Sequence, residues 1–129
     1  MKVRELISKV IECTPATTLS EAAAEMVERG IGALVVMDQA SMVGILSERD
    51  VLRAAAGGND LATVAAAEWM TTDVGSVDAD TEVTEAAAWI LAAGYRHLPV
   101  TDMLGDVIGI LSIKDLLWAV VDSADVLGT

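Results

Sequence analysis

Apolar residues recur at helical spacing twice along this chain, and each time a short apolar run follows. Leu19, Ala22, Ala23, Met26 and Val27 fall at i, i+3, i+4, i+7 and i+8; Val83, Ala86, Ala87, Ile90 and Leu91 repeat those offsets. That spacing puts one apolar stripe on an amphipathic helix. Thr18 and Glu21 form a capping box ahead of the first helix. Gly30 and Gly94 supply the stops, where the backbone turns left-handed. The runs Ala33–Met37 and Leu98–Thr101 are short, rich in Val and Leu, and end at Asp38 and Asp102. They predict strands. Beyond the loops Gln39–Met42 and Met103–Asp106, Val43–Leu46 and Val107–Leu111 predict second strands, and second helices begin at Ser47 and Ser112. With a short extended piece in front (Ile11–Thr14, Val74–Val77), each copy reads strand–helix–strand–strand–helix, an α+β unit.

The residues repeat as well as the pattern. Thr17–Asp38 (TTLSEAAAEMVERGIGALVVMD) and Thr81–Asp102 (TEVTEAAAWILAAGYRHLPVTD) lie 64 positions apart. Val43–Leu52 (VGILSERDVL) and Ile108–Leu117 (IGILSIKDLL) lie 65 apart, so the second copy carries one more loop residue. Gly57-Gly58-Asn59-Asp60 breaks the chain between copies, and Leu61–Met70 predicts a linking helix. Val3–Ser8 (VRELIS) resembles Ala66–Thr71 (AAEWMT), which makes the lead-in segment part of the duplication. The boundaries are residues 1–60 and 61–129. Halves of this size are marginal for burying a core alone, so they are expected to pack on each other.

Charge and composition narrow the classes. With 20 acidic against 8 basic residues the net charge is −12, which argues against nucleic acid and against an anionic membrane surface. A hydrophobic content of 53% and a mean hydropathy of +0.51 suit tight packing and burial in an oligomer, and a homodimer is expected. The uncharged run Ala86–Tyr95 is far short of the roughly 20 residues that span a bilayer. The start, MKVRELISKVIE, is charged and mixed, so no secretory signal is expected. With Cys13 as the single cysteine, a cytoplasmic setting fits.

The chemistry concentrates at two strand-to-helix turns, Ser47-Glu48-Arg49-Asp50 and Ser112-Ile113-Lys114-Asp115. Two readings of these turns stand side by side. Ser-x-x-Asp can be a helix cap. The same geometry can read a ribose phosphate: a helix start attracts anions, the hydroxyl reaches a phosphate oxygen, and the carboxylate accepts from a cis-diol. Arg49 and Lys114 occupy one repeat position, and Arg96 with His97 opens Tyr-Arg-His-Leu-Pro-Val. In an acidic chain, cations at equivalent turns suggest an anionic ligand; the competing reading is solvated surface cations and a satisfied, half-buried histidine. Copy one has Gly32 and Ala33 where copy two has Arg96 and His97, so one competent and one weaker site are expected.

A tandem of this unit, each copy closing in Gly-Ile-Leu-Ser-x-x-Asp, resembles a pair of cystathionine-β-synthase (CBS) domains, the Bateman module, over essentially the whole chain. The resemblance implies two small three-stranded sheets with helices related by a pseudo-two-fold axis, two clefts between the repeats that bind AMP, ADP, ATP or S-adenosylmethionine, and pairing into disc-shaped dimers. It also implies that Asp50 and Asp115 contact ribose hydroxyls, with Ser47 and Ser112 near ribose or phosphate. With three Trp, one Tyr and no Phe, adenine is expected between apolar strands; candidate walls are Ile11, Cys13, Val74, Val77 and Ile110, with Ile45 and Val36 beside them, each also readable as core. Trp69, Trp89 and Trp118 are read as packing or dimer-face residues.

Other chemistries lack their parts. One His and one Cys in separate segments make no metal site, although Mg²⁺ can accompany a nucleotide phosphate. No P-loop and no Gly-x-Gly-x-x-Gly is present, and a Cys13–His97 pair has no orienting third group. The expectation is a free-standing, non-catalytic module that needs no cofactor, binds an adenosyl ligand and signals to a protein partner. The alternative is a structural platform for dimerisation or interaction, with unoccupied clefts.

Overall fold

The computed structural model describes residues 1–123. The chain forms two compact units, one of Ile11–Val74 and one in which Met1–Val10 joins the chain from Gly75 onward. Each unit is α+β and holds one three-stranded sheet.

In the Ile11–Val74 unit, β1 (Glu12–Cys13) runs parallel to β2 (Ala33–Asp38), which pairs antiparallel with β3 (Ser41–Ser47). Helices α1 (Leu19–Arg29), α2 (Glu48–Ala56) and the short α3 (Ala66–Trp69) complete it. Its core is Leu19, Ala22 and Met26 from α1, Leu34, Val36 and Leu46 from the sheet, and Ala54 and Ala66. The predicted cap forms without the full box: Glu21 N–H donates to Thr18 Oγ1 at 3.2 Å, and Glu21 Oε1 takes the Thr18 hydroxyl at 3.0 Å instead of the Thr18 backbone N–H. Gly30 closes the helix at φ 65°.

The second unit repeats the plan with β4 (Val77–Asp78), β5 (His97–Thr101), β6 (Val107–Ser112), α4 (Val83–Ala93) and α5 (Ile113–Ser123). Val3, Ala86, Ile90, Leu98, Val100, Leu111 and Leu116 are among its core. Glu82 stands where Thr18 stands in the first copy and makes no side-chain cap. It pairs instead with Lys2 Nζ at 2.8 Å. The hydrogen bond and charge of Lys2 hold the Glu82 carboxyl below its usual range, and Glu82 raises the Lys2 ammonium in turn.

The two lead-in segments are duplicated in structure. Val3 N–H donates to Thr81 O and Arg4 N–H to Ala79 O; in the other unit Ala66 N–H donates to Thr17 O and Ala67 N–H to Pro15 O. Ser8 bridges Ile110 as Thr71 bridges Ile45. Packing thus groups each copy's lead-in segment with the other copy's sheet. This crossing explains the glycine of Gly-Ile-Leu-Ser. A Cβ on Gly109 would lie 2.7 Å from Ile7 Cβ, and one on Gly44 would lie 2.8 Å from Thr71 O and from Met70 Sδ. Backbone can pass that closely only over a residue with no side chain.

The predicted linking helix over Leu61–Met70 does not form as such; only Ala66–Trp69 is helical. Asp60 turns the chain first, accepting from Ala62 N–H through Oδ1 and from Thr63 and Val64 N–H through its carbonyl. The carbonyls of Leu61 and Val64 then cap α1, taking Ser20 and Leu19 N–H at 2.9 Å each. Carbonyls spent on a neighbouring helix start cannot build a helix of their own. The second extended piece also shifts, pairing at Val77–Asp78 rather than beginning at Val74. No helix among the described residues is long and apolar enough to cross a membrane.

Two stability measurements follow from this geometry. Gly109→Ala and Gly44→Ala should each lower unfolding free energy by about 1–3 kcal/mol, the usual cost of overpacking, read by urea denaturation; a wild-type midpoint for either would deny the close crossing. The β2–β3 turn places Gln39 at φ 51° and Ala40 at φ 71°, a left-handed pair that favours glycine. Ala40→Gly should therefore add about 1 kcal/mol, and unchanged or reduced stability would contradict it.

Candidate functional site

Each sheet delivers its last strand straight into a helix, and the turn is fixed by a reciprocal cap. At the end of β3, Ser47 N–H and Ser47 Oγ donate to Asp50 Oδ2 at 2.8 and 3.0 Å, and Asp50 N–H donates to Ser47 Oγ at 3.3 Å. At the end of β6, Ser112 N–H and Oγ both reach Asp115 Oδ2 at 2.9 Å, and Asp115 N–H reaches Ser112 Oγ at 3.1 Å. The capping reading is therefore correct for all four residues. It does not use them up. Every one of these carboxylate bonds falls on Oδ2. Among the described residues no buried side-chain polar atom lacks a partner. Asp50 is only 6% exposed, and its unbonded Oδ1 retains some access to solvent. Asp115 is half-buried in the same arrangement. Each carboxylate is held by one oxygen and presents the other as a free, oriented acceptor.

The first helical amide is also spent internally. Glu48 N–H donates to Gly32 O at 3.0 Å, and Ile113 N–H to Arg96 O at 3.2 Å. Of the first three amides of α2 and α5, those of Arg49 and Lys114 are left open, so each helix start offers an anion one amide rather than a nest of them. The bond from Ile113 also answers a question of placement. It ties the Arg96 backbone to the turn that holds Asp115, and His97 pairs across the sheet with Ser112. Arg96, His97, Ser112, Lys114 and Asp115 thus share one end of one sheet. At the corresponding place in the other unit stand Gly32 and the buried Ala33, paired with Ser47.

Arg49, Arg96 and Lys114 are exposed and make no ion pair among the described residues. Pairing to neighbouring acids does not account for them. Lys9 and Arg53 are likewise exposed without an ion pair among the described residues, whereas Lys2 and Arg4 are bound to Glu82 and Asp80, and Arg29 to Glu25.

The proposed adenine walls divide. Ile11, Cys13 and Val74 are half-buried, and Ile11 O accepts from Val35 N–H. Val77, Ile45 and Ile110 are 6–8% exposed, and Val36 is sealed in the core with no surface to offer a ring. Burial pushes the Cys13 thiol up to about 11, which leaves little thiolate near neutral pH. Trp69 packs on the first core, and Trp89 meets Tyr95 edge-on at 5.8 Å and lies over Gly75; Trp118 is 64% exposed. A cavity of about 280 Å³ lies in the second unit, lined by Ser76, Val77, Asp78, Thr81, Glu85, Ala86 and Trp89. Asp78 and Glu85 make it hostile to phosphate, and it includes none of the turn residues. No group of three or more His, Cys, Asp or Glu among the described residues is placed to hold a metal ion.

Comparison with known proteins gives concordant matches. The CBS domain family model matches residues 3–57 and 66–122. A 17.7 kDa protein of Acidianus ambivalens is 44% identical over 116 residues, covering 89% of this chain and 70% of that one. The crystal structure of CBSX2 in complex with AMP superposes with a TM-score of 0.77 at 25% identity, over 94% of this chain and 96% of that one. The CBS domain pair of MJ0100, in complex with 5-methylthioadenosine and S-adenosyl-L-methionine, superposes with a TM-score of 0.83 at 25% identity, over 92% and 98%.

The elevated thiol predicts slow chemistry at Cys13. At pH 8 alkylation by iodoacetamide should run on the order of a hundredfold slower than for a free cysteine, in proportion to the thiolate fraction. The sign for stability follows: the folded state keeps the proton, so stability contributed by this group is whole below pH 9 and falls between pH 9 and about 11. Ordinary alkylation rates, or a Cys13→Ala variant with the same alkaline loss, would contradict this.

Proposed function

The chain belongs to the CBS domain family, carrying two copies of the unit, and we propose that it is a non-catalytic regulatory module that binds an adenosyl ligand at its strand-to-helix turns. The observation that carries this reading is the free Oδ1 of Asp50 and of Asp115, oriented by a cap on Oδ2 and set beside a cation with no ion-pair partner among the described residues. A carboxylate in that position accepts from the paired hydroxyls of a ribose, at roughly 1.5–3 kcal/mol per charge-assisted bond. Ser47 and Ser112 stay in the cap and steady the carboxylate. Arg49, Lys114 and Arg96, with His97 beside them, meet the phosphate or another charged group of the ligand. Ile11, Cys13, Val74, Val77 and Ile110 supply apolar surface for the base. Solved neighbours whose crystals hold AMP or S-adenosyl-L-methionine support the ligand class.

The turn with Arg96 is the stronger phosphate site, because its counterpart has only Gly32 and Ala33. The ligand is AMP, ADP, ATP or S-adenosylmethionine, with any Mg²⁺ arriving on the phosphates. The working unit is a cytoplasmic homodimer that reports ligand occupancy to a protein partner. It does so only as far as the ligand prefers one conformer over another. A second reading, a structural platform with empty sites, draws on the caps themselves, which would be needed in either case.

Thermal melts with AMP, ADP, ATP and S-adenosylmethionine separate the two. A ligand at 100 times its dissociation constant adds about 2.7 kcal/mol of stability. No shift with any of the four at millimolar concentration would favour the platform reading. Titration calorimetry should then show Asp115→Ala weakening the best ligand about tenfold or more. Arg96→Ala should weaken AMP but not adenosine, and equal losses for both would remove Arg96 from phosphate recognition.

A further inference from the structure

The cavity beside β4 and α4 is built at positions where the two copies differ in a coordinated way. Asp78 and Trp89, which line it, stand where the first copy has Thr14 and Glu25, and the adjoining Gly75 stands where it has Ile11. Two of these differences depend on each other. A Cβ on Gly75 would lie 2.7 Å from Trp89 Cη2, so the indole occupies its place only because residue 75 has no side chain. In the first copy the equivalent polar groups are spent internally. The hydroxyls of Thr14 and Thr17 bond at 3.1 Å, Glu21 takes the Thr18 hydroxyl at 3.0 Å, and Glu25 pairs with Arg29. The second copy has lost those partners. Glu82 replaces Thr18 and is tied to Lys2, and Ala93 replaces Arg29. Glu85, the counterpart of Glu21, makes no ion pair among the described residues, and Asp78 takes the Asp80 N–H at 2.8 Å on Oδ1 alone.

The lining sets the class of ligand. Two carboxylates, with the hydroxyls of Ser76 and Thr81, surround an indole, and all four groups accept hydrogen bonds. Anions are repelled there. A metal ion is poorly served, since no group of three or more His, Cys, Asp or Glu among the described residues is placed to hold one. An ammonium ion answers both features, because it donates to carboxylates and is attracted to an aromatic ring. A quaternary ammonium needs a cage of rings, and Trp89 is the single aromatic residue in the lining. A primary ammonium, with three donors, fits acceptors better. Two carboxylates suit an amine at each end of a short alkyl chain. The volume of about 280 Å³ lies at the lower edge of the roughly 300–1,000 Å³ of drug-sized pockets, which also calls for a small ligand. The net charge of −12 concentrates cations around the molecule.

We propose that this cavity is a second binding site, for a small primary diamine, held between Asp78 and Glu85 with its alkyl chain against Trp89. Titration calorimetry of the full chain with 1,4-diaminobutane, at fixed ionic strength, should give saturable binding of one molecule per chain. In nuclear magnetic resonance spectra the indole N–H of Trp89 should shift, while those of Trp69 and Trp118 stay in place. Glu85→Gln should weaken binding about tenfold or more, and Trp89→Leu about two- to fivefold. Glu28→Gln removes the same charge from an exposed position on α1 and should bind as the wild type does. Choline should bind more weakly than the diamine. Absence of saturable heat at millimolar diamine would overturn the proposal. Equal losses in Glu28→Gln and Glu85→Gln would also overturn it, by reducing the binding to diffuse attraction. Because Val77 both lines the cavity and stands among the adenine walls, AMP is the last arm. AMP should leave the bound diamine in place; displacement would make the cavity part of the adenosyl site and end its claim to be separate.

Discussion

The reciprocal bond between a serine and an aspartate three residues on is the constraint from which the rest of each unit follows. It ends a strand and starts a helix within one residue. Ser47 closes β3 opposite Ala33, and Asp50 is already in the first turn of α2. Because Asp50 Oδ2 takes two donors, the carboxyl plane is fixed and Oδ1 has one direction left to face. A cap made by asparagine or by a lone serine would end the strand as well, but would leave no oriented, charged acceptor. The cap occupies one oxygen of the side chain and leaves the other for the recognition proposed above, so the capping and binding readings of Ser-x-x-Asp do not compete.

Duplication separates what the architecture requires from what can vary. Both copies keep the Gly of Gly-Ile-Leu-Ser, since both lead-in segments cross it within van der Waals distance. The residues just ahead of each segment also supply a carbonyl to a helix start of the same unit, Val64 O for Leu19 and Met1 O for Val83. Where no backbone depends on a side chain the copies part. Thr18 caps α1 by itself, whereas Glu82 makes no cap and is tied to Lys2. The turn residues Gly32 and Arg96 contribute the same carbonyl to the same bond, so the side chain at that position is free to differ.

Much of this was legible in the sequence because it is local. The helical stripe, Thr18 with Glu21, the glycine stops and the Val-rich runs specify elements through neighbours a few residues away, and α1, β2, β3, α4, β5 and β6 stand within a residue or two of their expected bounds. The failures are all non-local. Leu61–Val64 has a helical sequence, yet its carbonyls are claimed by α1, some forty residues earlier in the chain, and no window of sequence contains that competition. The grouping of Met1–Val10 with the second sheet escapes for the same reason: Val3 owes its burial to Thr81 and Ala79, which only folding brings near. In the candidate site, the sequence places the serines, aspartates and cations at the two turns, but not the bonds each of them makes. Which carboxylate oxygen is free, and which aspartate lies with Arg96, depend on hydrogen bonds set by strand register.

The acidity of the chain bears on how such a site can work. Acids outnumber bases 20 to 8, so a random surface would leave few cations without a carboxylate partner. Three of the bases are paired, at the N-terminal segment and on α1, while Lys9, Arg49, Arg53, Arg96 and Lys114 make no ion pair among the described residues; of these, Arg49, Arg96 and Lys114 stand at the two turns. The cap helps to keep them so. Asp50 and Asp115 directly follow Arg49 and Lys114 in the chain, and their bonded oxygens are turned inward to the serines. An anionic ligand approaching from beyond the screening length, about 8 Å at physiological salt, meets a net repulsive molecule and gains nothing from steering. Attraction begins only when the ligand is within reach of the turn itself. Selectivity at such a site must come from short-range geometry, a diol on a fixed oxygen and a phosphate on an unpaired guanidinium, and not from the field of the whole protein.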